Sequence, residues 1–328
     1  MRLLVIGTGS IGMRHGRNLV ALGQDVTAWD ADPARLAGLA ALPGVTRAAS
    51  LEAGLAARPD AVVVCTPPAT HVALARHSVE AGAHVFVEKP IAPVSDEVPE
   101  LIDLARRHGR VLIVGFNLRF LPSLARVKAL LDAGRIGRVH AVRAEFGFHL
   151  PDWRPGRDYR DNYAVSREQG GGILLDAIHE LDYLGWMLGD VSEVFCAAGH
   201  VSDLAGDTED LAEITLRFAG GALGQVHLDY VRRAYRRTLE LIGAAGVIEW
   251  DYPACRVTVR GPAPDAVEVA HAGDDGPAET MYVVEMQHFL HCCEGRAVPR
   301  VDGDEALRSL RLVEAAKASA ASGGWVKP

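Results

Sequence analysis

The sequence has few aromatic residues and few cysteines. Phe, Trp and Tyr make up 6% of the chain, whereas alanine, the strongest helix former, is abundant. This composition favours helices packed on a parallel sheet. The cysteines are Cys65, Cys196, Cys255, Cys292 and Cys293. Because their number is odd and no two are spaced C-x-x-C, they indicate neither a zinc site nor a disulfide framework. We therefore expect no metal and a reducing, cytoplasmic compartment.

An excess of positive charge and a long apolar run are also missing. The formal net charge is -8, which argues against nucleic acid and against an anionic membrane surface as partners. No run approaches the roughly 18 apolar residues of a membrane-spanning helix. Glycines interrupt the opening "MRLLVIGTGS" too early for a signal peptide. We expect a chain that binds neither nucleic acid nor membranes.

The chain is long enough for two domains, because single hydrophobic cores stop growing near ~250–300 residues. Residues 1–118 alternate short apolar runs such as "LLVIG" and "AVVVC" with segments of helical periodicity such as "HVALARHSVEAG". Unbroken apolar strands that alternate with helices predict a parallel sheet covered on both faces. The predicted fold class is therefore α/β, with a doubly wound first domain.

The pattern changes in residues 119–328, which we assign to a second, α+β domain. Partly alternating runs such as "LAEITLRFAG" and "CRVTVRG", separated by glycine turns, predict a large, mostly antiparallel sheet. One face of such a sheet is left exposed or is covered by a partner, which favours a homodimer or homotetramer. Helices are predicted at 171–188, 279–294 and 303–321, and the last is a candidate to pack back near the domain joint.

The stretch "VIGTGSIG" has G-x-G-x-x-G spacing at Gly7, Gly9 and Gly12. It follows the first predicted strand and begins a helix, which is the context that a dinucleotide-binding Rossmann loop requires. The first glycine permits a tight turn, the second lets the backbone approach a pyrophosphate, and the third lets helix and strand pack closely. Together with Ser10 and Ile11, they would present free backbone N–H groups to the phosphates.

The second predicted strand ends on Asp30, 18 residues after Gly12. A carboxylate there can accept both hydroxyls of the adenosine ribose and would repel the extra phosphate of NADP, so we expect NAD. In the alternative interpretation, Asp30 and Asp32 only cap the helix that begins at Pro33. Asp32 is the better candidate for that cap.

Two further loops leave the carboxyl ends of predicted strands, where a doubly wound sheet binds its ligand. In "CTPPATH", Thr66 and Pro67 are expected along the cofactor. His71 is also a candidate for cofactor binding, although we expect it to begin the next helix in a structural role. In "HVFVEKPIAP", Glu88 and Lys89 leave the fifth strand. A lysine there can bond a substrate oxygen and stabilise its developing negative charge, and the proline after it restricts where the lysine points.

The segment "GGGILLDAIHELD" (170–182) lies in the second domain. Asp176 and His179 are three apart, so on one helix they would share a face. A histidine exchanges protons near neutral pH, and a neighbouring carboxylate can stabilise its charged form, which makes a general acid/base unit. Asp182 is expected to brace the helix, and Glu180 could simply be solvated. The spacing H-E-x-D does not match the zinc motif H-E-x-x-H.

The loop "LPDWRPGRDYRDNYAVSRE" (150–168) precedes this helix. Arg154 and Arg157 could bind a phosphate or carboxylate, and Tyr159 and Tyr163 could contact a sugar face or a base. Arg160 and Trp153 have the same character. The alternative of equal weight is a loop that packs structurally or at a subunit contact.

In these motifs the sequence resembles the Gfo/Idh/MocA oxidoreductases, named for glucose–fructose oxidoreductase and inositol dehydrogenase. The resemblance also rests on "VGFNLRF" and on the closing "VDGDEALRSLRLVEAAKASAASGGWV". It implies that Lys89 is catalytic, that Glu88 helps to hold the cofactor, and that Asn117 lies near cofactor and substrate. Arg119 shares that position or forms a salt bridge at the domain joint. The commoner family pattern has Asp and His four apart, so the chain is more similar to a sugar-biosynthetic branch that reads D-x-x-H-E-x-D.

The resemblance and the motifs predict an NAD-dependent oxidoreductase acting on a sugar, cyclitol or sugar derivative, possibly phosphorylated or nucleotide-linked. Hydride would pass between the carbinol carbon and the nicotinamide, with an ammonium from one domain and an imidazole from the other at one alcohol. Alternatives are an NAD-dependent glycosidase that uses transient oxidation, a cofactor-binding regulator without catalysis, and a reductase of imines or enones. The retained lysine, aspartate and histidine count against the last two.

Overall fold

The chain forms two compact units in a computed structural model that describes residues 1–154, 156–263, 265–273, 275–276 and 279–328. Residues 1–117 and 278–307 make up the first unit, and residues 118–277 and 308–328 the second. The sequence prediction assigned everything after residue 118 to one domain, whereas the contacts group 278–307 with the first unit. The assignment of cofactor binding to one domain and substrate binding to the other stays a prediction.

The first unit contains a sheet of six parallel strands. They are β1 (Arg2–Ile6), β2 (Asp25–Trp29), β3 (Val45–Arg47), β4 (Ala61–Val64), β5 (His84–Glu88) and β6 (Leu112–Gly115). Their order in the sheet is β3-β2-β1-β4-β5-β6. The predicted strands, among them "LLVIG", "AVVVC" and the run that ends at Glu88, are all present, whereas the three-residue β3 was not predicted. β1 pairs in parallel with both β2 and β4, so the strand order reverses between β1 and β4, where doubly wound folds bind ligands.

Ten α-helices accompany the two sheets in the described part of the chain. They are α1 (Ser10–Ala21), α2 (Pro33–Ala40), α3 (Leu51–Ala56), α4 (His71–Glu80), α5 (Val98–Arg107), α6 (Pro122–Asp132), α7 (Ile173–Asp176), α8 (Ile178–Leu188), α9 (Glu279–Cys293) and α10 (Gly303–Ser322). Among them, none combines the length and the apolar composition that crossing a membrane requires.

The core of the first unit explains why its strands read as unbroken apolar runs. All four residues of β4 are buried, and so are the last four of β1. Strands with helices on both faces have no solvent-facing side, so each position favours an apolar residue. Met286 and Phe289 of α9 belong to the same apolar cluster as Val5 and Val63. This packing explains why a helix from late in the chain belongs to the first unit.

The second unit contains a sheet of eight strands. They are β7 (Val139–His149), β8 (Val191–Gly199), β9 (Leu211–Phe218), β10 (Leu223–Asp229), β11 (Val231–Gly243), β12 (Gly246–Asp251), β13 (Arg256–Arg260) and β14 (Val267–Ala272). Their order is β14-β13-β12-β11-β7-β10-β9-β8, and every neighbouring pair is antiparallel except β7 with β10. The predicted fold class, a parallel Rossmann sheet plus a larger, mostly antiparallel sheet, is confirmed.

One face of the second sheet is covered and the other is open. Along β7, Val142, Ala144 and Phe146 are buried, while Arg143 between them is exposed. This alternation is the sequence signature of an antiparallel sheet with a single packed face. The open face lines a concave region of about 850 Å³, with charged residues from β7 and β9–β13.

Candidate active site

The glycine loop in the first unit has the geometry of a dinucleotide-binding turn. Gly7 follows β1 directly and has φ +88°, a conformation that side chains strongly disfavour. A Cβ added to Gly12 would lie 1.9 Å from the Gly7 carbonyl oxygen, so only glycine fits there. Around Gly9, in contrast, an added Cβ would meet no described atom within 4 Å. The loop is therefore closed against the protein at its ends and open in the middle, where a pyrophosphate would approach.

The N-terminus of α1 is available to an anion. The helix begins at Ser10, its N-cap is Gly9, and no described side chain caps it. Its first turn contains no acidic residue. The backbone N–H groups of Ser10, Ile11 and Gly12 therefore have the partial positive charge of an uncapped helix end, which phosphate groups favour. These residues fit the diphosphate of NAD.

Asp30 follows β2 and holds the glycine loop. Its Oδ2 accepts hydrogen bonds from the backbone N–H (2.6 Å) and the hydroxyl (3.0 Å) of Thr8, and its Oδ1 accepts from the Asp32 N–H at 2.8 Å. The side chain of Asp32 accepts from the Ala34 N–H at 2.9 Å and caps α2, as predicted. Asp30 is thus a fixed carboxylate with remaining acceptor capacity, beside the loop that would hold the pyrophosphate.

His71 ties the loop after β4 to the segment after β5. Its Nδ1 lies 2.8 Å from the carbonyl oxygen of Pro90, and its Nε2 lies 2.8 Å from that of Thr66. Burial lowers the pKa of the imidazole, and the two carbonyls oppose that shift. His71 is the first residue of α4, as expected. Because both ring nitrogens face protein oxygens, the geometry supports the structural role, and contact of His71, Thr66 or Pro67 with the cofactor stays a prediction.

The E-K-P segment stands at the carboxyl end of β5. Glu88 is the last residue of the strand and is 8% exposed, Lys89 is half-buried, and the Lys89–Pro90 peptide bond is cis. One Glu88 oxygen lies 2.6 Å from His15 Nε2, and the other accepts from the Lys89 N–H at 3.2 Å. Both oxygens of this carboxylate are therefore bonded within the protein. The contact with His15 was not predicted.

Asn117 lies just beyond β6. It is 5% exposed, and its side-chain amide donates to the sulfur of Met281 at 3.1 Å. A thioether is a weak acceptor, so the amide is oriented without being strongly engaged. The predicted contact of Asn117 with cofactor or substrate is compatible with this arrangement and stays a prediction.

In the second unit, the predicted helix at 171–188 is two helices. α7 ends at Asp176 and α8 begins at Ile178, with Ala177 between them at φ -93° and ψ 24°. The prediction of one continuous helix, on which Asp176 and His179 share a face, was wrong. Asp176 ends the first helix, and His179 lies in the first turn of the second.

Asp176 is fixed by two tyrosines. Its Oδ1 accepts from the Tyr163 hydroxyl at 2.9 Å, and its Oδ2 accepts from the Tyr230 hydroxyl at 3.1 Å. Burial raises the pKa of Tyr230 well above its usual value, and the charge of Asp176 raises it further. Tyr230 therefore remains a hydrogen-bond donor at any physiological pH. Sequence reasoning missed Tyr230, because it lies 54 residues from Asp176.

The acidic residues around His179 are engaged in buried ion pairs. His179 is 8% exposed, and Glu180 next to it is fully buried with one oxygen 2.8 Å from Arg237 Nε. The prediction that Glu180 could be solvated was therefore wrong. Burial tends to lower the pKa of Arg237, but the charge of Glu180 outweighs it and the net shift is upward. Asp182 binds Arg119 through both oxygens, at 2.9 and 2.8 Å. Asp182 thus has the bracing role we expected.

The loop at 150–168 is partly structural. The Tyr159 hydroxyl accepts from the Ala205 N–H at 2.9 Å, and Arg160 pairs with Asp158. The side chains of Arg154 and Arg157 have no hydrogen-bond or ion-pair partner among the described residues. Of the residues predicted to bind substrate in this loop, these two arginines remain available to an anion, whereas Tyr159 and Tyr163 are bonded within the protein.

The part of the chain that the structure describes contains no group of three or more His, Cys, Asp or Glu side chains that could hold a metal ion.

The glycine loop, the uncapped helix and the E-K-P segment define a dinucleotide-binding oxidoreductase. Comparison with family models agrees. Residues 1–116 match the oxidoreductase family with an NAD-binding Rossmann fold, and residues 124–249 match the GFO/IDH/MocA C-terminal domain. The chain belongs to the GFO/IDH/MocA family, and the predicted resemblance, enzyme class and cofactor NAD are confirmed.

Individual relatives extend over nearly the whole chain. Myo-inositol 2-dehydrogenase from Thermotoga maritima is 32% identical over 97% of this chain and 96% of its own length. Inositol 2-dehydrogenase 2 from Saccharopolyspora erythraea is 34% identical over 79% of this chain and 75% of its own. Among solved structures, GenD2 from gentamicin A biosynthesis, in complex with NAD, has a TM-score of 0.86 at 29% identity and covers 100% of this chain and 96% of its own.

Proposed function

We propose that the protein is an NAD-dependent dehydrogenase that oxidises a secondary alcohol of a sugar, cyclitol or sugar derivative, or reduces the corresponding ketone. The relatives named as inositol dehydrogenases support the substrate class. The proposal rests on one observation: two loops leave the same edge of one parallel sheet. The glycine loop leaves β1 and Lys89 leaves β5 on that same edge, so a dinucleotide on the first would extend along the crevice to which the second belongs.

NAD, which the backbone N–H groups at the start of α1 would hold by its diphosphate, would supply the hydride acceptor for the carbinol carbon. The residues of the chain manage the hydroxyl group. The Lys89 ammonium binds the substrate oxygen and stabilises the negative charge that grows on it. His179 takes the hydroxyl proton and later releases it, a type of step that contributes roughly 10²–10⁴-fold to rate.

Asp176 supports His179 in this proposal as a fixed negative charge. Its two oxygens accept from the hydroxyls of Tyr163 and Tyr230, and hydrogen bonds of this kind stabilise the ionised form of a carboxylate. A fixed carboxylate three residues from the imidazole stabilises the imidazolium that forms when His179 takes the proton. The role rests on charge and proximity in the chain and no longer on a common helix face.

Arg154 and Arg157 are proposed to bind an anionic part of the substrate, such as a phosphate or carboxylate. Both side chains lack an acidic partner among the described residues, and a guanidinium forms paired hydrogen bonds with such groups. Arg160 provides the matched control, because Asp158 already engages it. An Arg157→Ala enzyme that retains full activity on its own substrate, like Arg160→Ala, would exclude this role.

We also propose a cytoplasmic homo-oligomer. All five cysteines are free thiols, which suits a reducing compartment. The open face of the second sheet is broad, concave and rich in paired charges, as between Arg143 and Glu240, and such a face suits a second copy of the chain. Analytical ultracentrifugation of the purified protein distinguishes a monomer from a dimer or tetramer.

The central test is a screen of NAD reduction, followed by NADH absorbance, over sugars, cyclitols, sugar phosphates and nucleotide sugars. On any substrate found, Lys89→Ala and His179→Ala should each lower kcat by at least about 10²-fold. Hydrolysis of a glycoside without accumulation of NADH would identify the glycosidase alternative. If neither variant loses more than a few-fold, the proposed mechanism is wrong.

A further inference from the structure

His15 lies on α1 and contacts the carboxylate that precedes Lys89. Its ring is fully buried, and its Nε2 lies 2.6 Å from Glu88 Oε1. The imidazole N–H donates and the carboxylate oxygen accepts. The other oxygen, Oε2, accepts from the backbone N–H of Lys89. One carboxylate thus connects an imidazole 73 residues away in sequence to the backbone of the lysine.

Aromatic rings hold the imidazole in place. The ring of Phe86 meets His15 edge to face at 5.2 Å between centroids, and that of Tyr282 does so at 5.9 Å. Such contacts restrict ring rotation and favour one orientation. Both partners belong to the same unit as His15. The direction of the Nε2–H bond toward Glu88 is therefore set by packing as well as by the hydrogen bond itself.

Space for the Glu88 carboxylate comes from Gly115 on the neighbouring strand. A Cβ added there would lie 3.2 Å from both Cδ and Oε1 of Glu88 and 2.9 Å from Phe86 Cζ. A side chain at position 115 would therefore press on Oε1 of Glu88, the oxygen that His15 contacts.

A second buried acid lies near this pair. Glu285 on α9 is 1% exposed, and neither of its oxygens has a hydrogen-bond partner among the described residues. Burial raises its pKa well above the usual value, and the charge of Glu88 raises it further. Its surroundings therefore favour the protonated, uncharged form of Glu285.

We propose that His15 is a positioning residue for the reaction, which through Glu88 fixes the backbone of Lys89 and so the direction of its ammonium. The inference rests on the catalytic role proposed for Lys89. Since His15 is fully buried, it acts through Glu88 and touches neither substrate nor cofactor. It also ties α1, whose first turn would hold the pyrophosphate, to the segment that carries the lysine.

Two substitutions at one position test the contact. His15→Leu introduces an apolar side chain of similar length and removes the N–H donor. His15→Gln, in contrast, keeps an N–H near the position of Nε2. We expect His15→Leu to lower kcat by up to about 10²-fold, the loss that a misplacement of about 1 Å produces. The Kd for NAD and the KM should change by less than a few-fold. His15→Gln should recover most of the turnover.

The position of Lys89 can also be followed by NMR in the absence of cofactor and substrate, because the chain has few lysines. The chain has only four lysines, Lys89, Lys128, Lys317 and Lys327. Reductive methylation with labelled formaldehyde gives one NMR signal for each, and Lys89→Arg assigns the signal of Lys89. In His15→Leu, the Lys89 signal should shift or broaden while the other three stay unchanged. In His15→Gln it should return toward its original position.

If His15→Leu does not fold, Glu88→Gln replaces it, because an amide has an acceptor at only one of the two positions where the carboxylate oxygens bind the imidazole and the Lys89 N–H. The same loss of kcat and the same NMR change are expected. Suppose that the Lys89→Ala enzyme is inactive but that kcat and the Lys89 signal are unchanged in His15→Leu. That result would overturn the role of His15 and leave the proposed function intact. An active Lys89→Ala enzyme would instead overturn the proposed function.

Discussion

Tyr230 donates its hydroxyl hydrogen to Oδ2 of Asp176 at 3.1 Å, from the end of β10 to the end of α7. Tyr230 is 1% exposed and Asp176 is half-buried, so the donor side of the bond is shielded from water. Together with the bond from Tyr163, it occupies both oxygens of the carboxylate that is proposed to stabilise a charged His179. The carboxylate cannot rotate without breaking one of the two bonds.

Removing the Tyr230 hydroxyl should therefore affect stability and catalysis together. We expect Tyr230→Phe to lower the free energy of unfolding by about 1 kcal/mol, the usual loss for one buried hydrogen bond. We also expect kcat to fall more than KM rises, because the change acts on the proton-transfer group. Urea unfolding and steady-state kinetics measure the two effects. Tyr159→Phe is the matched control, since its hydroxyl accepts from the Ala205 N–H away from Asp176. If kcat is unchanged in both variants, the Tyr230–Asp176 bond does not support the proton transfer.

The carboxylate of Asp30 should determine the choice between NAD and NADP. Asp30→Ala removes the negative charge that would repel a ribose phosphate. The ratio of kcat/KM for NADP to that for NAD should rise by at least about 10-fold, the effect of roughly 1.4 kcal/mol. Activity with NAD should also fall, because the Thr8 N–H and hydroxyl lose their acceptor. Asp32→Ala serves as the control, because it removes the cap of α2 and should leave the cofactor ratio unchanged. An unchanged ratio in Asp30→Ala would support the alternative that Asp30 has only a structural role.

The dinucleotide loop could be predicted from the sequence because its signal is local. The glycine spacing, the preceding apolar strand and the following helix all lie within 20 residues, and each requirement is steric. His15 and Tyr230 were missed for the opposite reason. Their partners lie 73 and 54 residues away, and nothing in the local pattern distinguishes a buried histidine that bonds a carboxylate from one on a solvated face.

The break between α7 and α8 shows a second limit of local patterns. Alanine is the strongest helix former, so Ala177 gave no sign of a helix end. The apolar periodicity also continues through it. The bonds from Tyr163 and Tyr230 to Asp176, at the last position of α7, are tertiary contacts that the local sequence does not encode. The two buried ion pairs, Glu180 with Arg237 and Asp182 with Arg119, could not be predicted for the same reason, because each arginine is more than 50 residues from its partner.

Replacing only one partner of the buried pair of Arg119 and Asp182 should strongly lower the free energy of unfolding. Their side chains are 5% and 2% exposed, and Ser309 donates a further bond to Asp182 at 3.2 Å. Asp182→Leu removes the carboxylate that binds a buried guanidinium, and we expect it to lower the free energy of unfolding by about 3–5 kcal/mol. The double variant Arg119→Met/Asp182→Leu should lose less than Asp182→Leu alone. Denaturant unfolding of the three proteins measures this.

The pair of Arg135 and Glu268 is the exposed control for that experiment. Its side chains are 50% and 46% exposed at 2.7 Å separation. Glu268→Gln should change the free energy of unfolding far less than Asp182→Leu does, because water screens the attraction. Equal losses in Asp182→Leu and Glu268→Gln would contradict the view that desolvation dominates the cost of breaking the buried pair.

His227 on β10 should make stability depend on pH in the alkaline range. Its Nδ1 lies 2.6 Å from Glu213 Oε1 and its Nε2 lies 2.9 Å from Asp229 Oδ2. The hydrogen bond to Asp229 is the largest influence and, with Glu213 and against partial burial, raises the pKa of His227 to about 9. The folded protein therefore holds this proton more tightly than the unfolded chain, in which the pKa is about 6.5. The resulting stabilisation is fully present below about pH 6.5 and is lost as the pH rises through about 9.

Unfolding by urea at several pH values between about 6 and about 10 tests this expectation. The wild-type protein should lose stability across that range more steeply than His227→Gln, which cannot bind the proton. Burial tends to raise the pKa of Asp229, but its hydrogen bonds to His227 and to backbone N–H groups together outweigh that effect, and the net shift is downward. Its own contribution is lost only in acid and does not interfere. His108→Gln, at an exposed position after α5, should retain the wild-type slope. Parallel curves for wild type and His227→Gln would show that the two carboxylates do not hold the proton in the folded state.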